Sequence, residues 1–173
     1  MGRRGFTLVE LLVVLGVSSI LLAIALPSYA FLVNTSRLAT VTNDLVTALQ
    51  LARSEAVKRG MRVTVCKTSS AMGAIPACDA SASWNEGWLV FVDGGIRGVV
   101  DVGDTLLRVQ EAAHSTVRIT ATNYSLYISY LPNGRSQGLN YLPNGSIEIC
   151  VAGSRRNIII NNTGRPRLVS GSC

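Results

Sequence analysis

From Phe6 to Leu26 the chain runs for 21 residues in which only Thr7, Glu10, Ser18 and Ser19 carry polar side chains. At about 1.5 Å of rise per residue, a helix of that length spans roughly 31 Å, the thickness of a bilayer core. A secretory signal peptide has an apolar stretch of about 7–15 residues, so this run is too long to be one. The basic pair Arg3 and Arg4 stands just before it, as expected of an anchor that holds its cations inside. Glu10 is the anomaly. A carboxylate within a membrane segment is costly and marks a functional position, and a plain anchor gains nothing from it. Pro27 closes the run, and in a helix interior a proline removes a backbone hydrogen bond and bends the axis.

The hexapeptide Gly5-Phe6-Thr7-Leu8-Val9-Glu10, opening such a run, resembles the leader and first helix of type IV pilins and type II secretion pseudopilins. The resemblance implies that a prepilin peptidase cuts after Gly5 and that the new N-terminal Phe6 is methylated. It implies that Glu10 meets the amine of a neighbouring subunit during assembly. Other major and minor pilins and the inner membrane are the implied partners. The chain would cross that membrane once, with a periplasmic C-terminal domain, before joining a fibre at the cell surface. The implied fold is α+β: a long N-terminal helix packed on an antiparallel β-sheet domain with two disulfides.

The residues after Pro27 fit that expectation. Leu38, Val41, Leu45, Ala48, Leu49, Ala52 and Ala56 recur at helical spacing, with Arg37, Asn43, Asp44, Gln50, Arg53, Glu55 and Lys58 on polar positions. Gly60 is a stop signal, with Lys58 and Arg59 in the last turn where cations suit the helix dipole. The expected organisation is a cleaved leader (1–5), a membrane and assembly half-helix (6–27), an amphipathic half-helix (28–60) and a β-rich periplasmic domain (61–173). A chain of 173 residues has room for one sizeable core beside the anchor. Its formal net charge is +6, and loss of Arg3 and Arg4 with the leader leaves +4 on the side chains.

Beyond Met61 the helical period gives way to short β-type runs: Arg62–Cys66, Trp88–Val92, Thr105–Val109, Val117–Thr120, Ser125–Tyr130, Ser146–Val151 and Asn157–Asn161. Turn chemistry separates many of them, as at Asp93-Gly94-Gly95 and Asn162-Thr163-Gly164. A pentapeptide recurs eleven residues on, Tyr130-Leu131-Pro132-Asn133-Gly134 and Tyr141-Leu142-Pro143-Asn144-Gly145. One copy of so short a unit does not make a solenoid, so two similar hairpin turns are expected, with Arg135-Ser136-Gln137-Gly138 between them as a mobile loop. Cys66, Cys78, Cys150 and Cys173 are an even set in an exported domain and read as two disulfides. Three pairings are open. The favoured one joins Cys66 to Cys78 in a small loop and Cys150 to Cys173, pinning the C-terminal tail to a strand.

A second set of residues narrows the resemblance to the GspH/FimT/FimU group of minor pilins and pseudopilins. It comprises Leu51-Ala52-Arg53-Ser54-Glu55-Ala56-Val57-Lys58-Arg59, the strand ending at Cys66, Trp84, Gly87–Asp93, Asp101–Arg108 and Cys150. Within that group, Gly164-Arg165-Pro166-Arg167 is similar to the Gly-Arg-x-Arg motif that FimT-type minor pilins use to bind DNA in natural transformation. Arginine offers a rigid fork of donors to phosphate oxygens. From residue 151 to 173 there are four arginines and no acid, and a hairpin through Asn161–Gly164 is expected to gather Arg155, Arg156, Arg165 and Arg167. Such a patch attracts double-stranded DNA without reading sequence, with a salt slope near −3 to −4 for about three or four phosphates. The alternative is a solvated face, or contacts with acids of an adjacent subunit, in a structural pilin that primes or caps a pilus or secretion pseudopilus.

Other chemistry has little support. The cysteines show no Cys-x-x-Cys spacing and the single His114 is remote from them, against zinc. Asp93, Asp101 and Asp104 do not follow an EF-hand spacing, against calcium. No Gly-x-Ser-x-Gly elbow or Gly-x-x-x-x-Gly-Lys loop occurs. Trp84 and Trp88 are expected in the core rather than on a ligand platform. The expectation is a protein that is not an enzyme and has no cofactor.

Overall fold

The computed structural model describes residues 7–173. The leader, with Gly5 and Phe6, lies outside the described residues. Helix α1 spans Leu8–Arg59, and the Glu10 amide donates to Thr7 Oγ1 at 3.2 Å, capping its first turn. The helical assignment runs on through Pro27. Gly60, at φ +64°, ends it in the left-handed conformation that favours glycine. The chain forms two compact units divided between Ser36 and Arg37. The first contains the apolar part of α1, long and apolar enough to cross a membrane. The second contains the rest of α1 and all the strands described.

Nine strands follow: β1 (Val63–Lys67), β2 (Trp88–Val92), β3 (Thr105–Gln110), β4 (Val117–Thr122), β5 (Tyr127–Tyr130), β6 (Ser136–Gln137), β7 (Gly145–Val151), β8 (Ser154–Ile160) and β9 (Pro166–Ser172). They make two antiparallel sheets, one ordered β3-β2-β1-β5-β6 and the other β4-β7-β8-β9. The seven expected strands are present with ends shifted by a few residues, and β6 and β9 are additional. Ser136 is fully buried and pairs with Tyr130, so the stretch expected to be a mobile loop is a short edge strand. β9 begins at Pro166, the one place in a strand where a missing N–H is harmless.

One buried cluster joins both sheets to the second half of α1. Leu38, Leu45, Leu49, Ala52 and Ala56 meet Val63, Val65, Val90 and Ile128 of the first sheet and Ile119, Ile147, Ile149, Ile158 and Ile160 of the second. Each of these isoleucines removed from water contributes about 1.5–3 kcal/mol. β2 is buried along its whole length. Its Val90 and Val92 face the main cluster, while Leu89 and Phe91 lie on the opposite face with Cys66, Cys78 and Tyr127. That is why β2 reads as an unbroken apolar run. Trp84 and Trp88 belong to the main cluster.

The disulfides are Cys66–Cys78 and Cys150–Cys173, the favoured pairing. The repeated pentapeptides do not form two similar hairpins. The first turns β5 into β6, with Tyr130 fully buried. The second leaves a short 3-10 segment for β7, with Tyr141 exposed and at φ +63°. Identical local sequence takes two conformations because only the first has a partner strand on each side.

Burial raises the Tyr130 phenol above its usual range, with the nearby Tyr124 adding to the effect. Its hydroxyl has no partner among the described residues. Burial also raises Tyr124 despite its bond to Ser136. A phenol whose folded pKa exceeds its unfolded value stabilises the fold below the unfolded pKa, about 10. That contribution is lost as pH rises further. Thermal melts should therefore show stability falling above about pH 10. Tyr130→Phe should cost little at neutral pH and flatten that fall, and an unchanged alkaline decline in the variant would contradict the assignment.

Candidate nucleic-acid interface

The Gly-Arg-x-Arg segment follows a tight turn between β8 and β9. Asn161 Oδ1 accepts from the Thr163 amide (3.2 Å), the Thr163 hydroxyl (2.7 Å) and the Arg165 amide (3.1 Å), and the Gly164 amide donates to the Asn161 carbonyl at 2.8 Å. These bonds are the Asx-type chemistry that makes asparagine a turn former. The β5–β6 turn also closes on a glycine amide, with Gly134 donating to the Leu131 carbonyl at 2.8 Å, but its asparagine stands one residue before the glycine, Asn133 Oδ1 accepting from the Arg135 amide at 3.1 Å. The two turns touch. Gly164 is buried at φ +75°, and a Cβ there would collide with the Gly134 carbonyl and press on the Tyr130 ring. The glycine of the motif is therefore required by packing.

Arg53 of α1 ties both turns to the helix. Its Nε donates to the Gly134 carbonyl at 3.0 Å and its Nη2 to the Thr163 carbonyl at 3.4 Å. Arg135 Nε donates to the Asn162 carbonyl at 3.4 Å. Arg165 is thereby held between two clefts. One, of about 620 Å³, is lined by Arg53, Arg135, Asn162 and Arg165. The other, of about 670 Å³, is lined by Arg53, Val57, Lys58, Arg165 and Pro166. No acidic side chain lines either cleft.

The four C-terminal arginines are not gathered in one place. In the β8–β9 register Arg167 lies opposite Ile159, Arg156 opposite Ser170 and Arg155 opposite Gly171. Cross-strand partners share a face and neighbours alternate. Arg155 and Arg167 therefore lie on the outer face, at opposite ends of the ladder, while Arg156 lies on the core-facing side with Ile158 and Ile160. Arg156 Nη1 donates to the Ser170 hydroxyl. Arg155 is paired with Glu148 at 3.1 Å, which offsets its charge. Arg165 and Arg167 are exposed and have no ion pair among the described residues. Arg53, Lys58 and Arg135, absent from the motif, are the cations that share the two clefts with Arg165. No local signal in the sequence reveals that proximity, because residues 53 and 134 meet only through the fold.

The remaining candidates resolve simply. Glu10 is exposed in the first turn of α1, where an acid also favours the helix dipole. Asp93 is buried against Arg62 at 2.5 Å and accepts from Thr64. Asp101 and Asp104 accept the amides of Ile96 and Gly94 within their own loop. Those carboxylates are occupied by protein donors, and no metal-holding cluster occurs among the described residues. Asp79 is held down to about 2, first by the Ser69 hydroxyl and then by Ser81.

The family described as type II transport protein GspH matches residues 41–164. The prokaryotic N-terminal methylation motif matches residues 1–26. The chain belongs to the GspH family of minor type IV pilins and pseudopilins. It is 28% identical to the pilin-like protein PilA1 of Thermus thermophilus, over 97% of this chain and 99% of that protein. Its fold is similar to that of the type IV minor pilin FimU of Pseudomonas aeruginosa, with a TM-score of 0.58 at 18% identity, covering 78% of this chain and 90% of the other. The minor pseudopilin EpsH of the Vibrio cholerae type 2 secretion system gives 0.51 at 11% identity, covering 76% and 95%. Within this family the apolar helix and methylation motif fit a membrane-anchored subunit that assembles with other pilins.

Because Gly164 combines positive φ with no room for a Cβ, Gly164→Ala should destabilise the protein by at least about 2 kcal/mol, roughly 4–8 °C in Tm. A melting temperature equal to that of the parent would show that the turn packs differently.

Proposed function

We propose that this chain is a FimT-type minor pilin. Its apolar helix anchors it in the inner membrane, it is processed after Gly5 and methylated on Phe6, and Glu10 guides it into a type IV pilus. There it holds extracellular double-stranded DNA for uptake. Support for the DNA role rests on one observation: Arg165, on a turn whose two flanking clefts are lined by no acid, and Arg167, two residues on in β9, are both exposed and have no ion pair among the described residues. Cations free of internal partners are the ones that release counterions on meeting phosphate. The lack of aromatic side chains between Arg155 and Cys173 favours backbone contact over base stacking. The subunit acts structurally, not as an enzyme.

A second reading has its own support. The match to a family described by type II transport favours a subunit that primes or caps a secretion pseudopilus without touching DNA.

The two readings separate in a binding assay on the full chain in non-ionic detergent. Duplex DNA of unrelated sequences should bind equally, with a log–log salt slope near −3 to −4. Arg165→Gln with Arg167→Gln should weaken binding by about 100-fold, since each charged contact carries about tenfold, without lowering Tm. Unchanged binding in that double variant would remove the site. For assembly, Glu10→Ala should abolish incorporation into fibres while leaving membrane insertion intact, and normal incorporation would remove the role of Glu10.

A further inference from the structure

We propose that Arg135 and Lys58 are phosphate ligands of the same site as Arg165. The DNA-binding surface is then centred on the acid-free groove between the last turns of α1 and the β5–β6 and β8–β9 turns, with Arg167 at its margin, and excludes the Arg155 end of the β8–β9 face. This inference rests on the DNA reading above and extends it to residues that the motif does not include.

The clefts on either side of Arg165 share Arg53 and Arg165, so a row of cations runs from Lys58 past Arg53 and Arg165 to Arg135. Each has a different freedom to act. Arg53 spends Nε and Nη2 on the Gly134 and Thr163 carbonyls and serves chiefly as a strut. Arg135 commits only Nε, to the Asn162 carbonyl, which leaves its terminal nitrogens to face solvent. Lys58 pairs with Glu55 at 3.5 Å, but Arg59 holds the same carboxylate at 2.5 Å. An exposed pair of that kind contributes about 0–1 kcal/mol, so Lys58 can exchange it for a phosphate. The Arg155 end of the outer face offers the reverse. Glu148 stands there against Arg155 and would repel a phosphate chain. Arg156 is on the opposite side of the sheet, bonded to Ser170.

Fluorescence anisotropy of a labelled duplex titrated with the full chain in non-ionic detergent, over a KCl series, tests this. Arg135→Gln should weaken binding roughly tenfold and flatten the salt slope by about 0.9, with a smaller loss for Lys58→Gln. Arg135→Lys keeps the charge without the planar fork that holds Asn162, and should stay within about threefold of the parent. Arg156→Gln should bind like the parent. If Arg135→Gln binds like the parent while the Arg165/Arg167 double variant does not, the groove is overturned and the DNA reading stands. If Arg135→Lys falls as far as Arg135→Gln, Arg135 is a support for the turn and the proposal fails. If the parent chain binds no duplex, the DNA reading falls and this inference with it.

Discussion

The structure of the second unit depends on one shared wall, the apolar stripe of α1 from Leu38 to Ala56. Both sheets bury their inner faces against it. Ala48, Ala52 and Ala56 stand among Leu38, Leu45 and Leu49 on this stripe, and branched side chains from both sheets pack against it. Packing of this density leaves little slack. Two turns at the edge of the sheets are tied directly to the helix, through Arg53.

The candidate site follows from that attachment. Arg53 sits one residue beyond Ala52 on the wall and is aimed at the rim of the domain. It captures a carbonyl from each of two turns that are far apart in sequence. Gly134 and Gly164 allow those turns to stack without side chains between them. The consequence is electrostatic. Cations from the helix, from the β5–β6 turn and from the β8–β9 turn converge, while Asp93 is occupied elsewhere by Arg62 and Glu148 by Arg155, and Glu55, beside Lys58, is held more closely by Arg59. A domain of modest net charge so concentrates its free positive charge at one edge, which is the arrangement that draws in a polyanion.

Much of this was legible in the sequence, for identifiable reasons. The helix announces itself by the spacing of Leu38, Leu45, Leu49 and Ala56 and by Gly60. β2 is recognisable from five consecutive apolar residues, and the cysteine pairing from the short loop of one pair and the terminal place of the other. β9 was hidden because Gly164, Pro166 and Gly171 imitate a coil. Its strand character comes from the β8 ladder and not from its own side chains. β6 was hidden because two polar residues form a strand only when β5 lies beside them. The grouping of the arginines depended on strand register, which no local pattern reports. Parity alone sends Arg156 inward and Arg167 outward, and the cations that share clefts with Arg165 come from positions more than a hundred residues away or across a different turn.

Mapping where DNA touches the protein tests the account most directly. A duplex carrying photoreactive groups on its phosphate backbone can be cross-linked to the full chain in detergent and the modified peptides identified by mass spectrometry. Adducts should fall on the β5–β6 turn around Arg135, on the β8–β9 turn around Arg165, and near Lys58 at the end of α1. Adducts confined to the outer face around Glu148 and Arg155, or none above the level of an unrelated membrane protein, would contradict it.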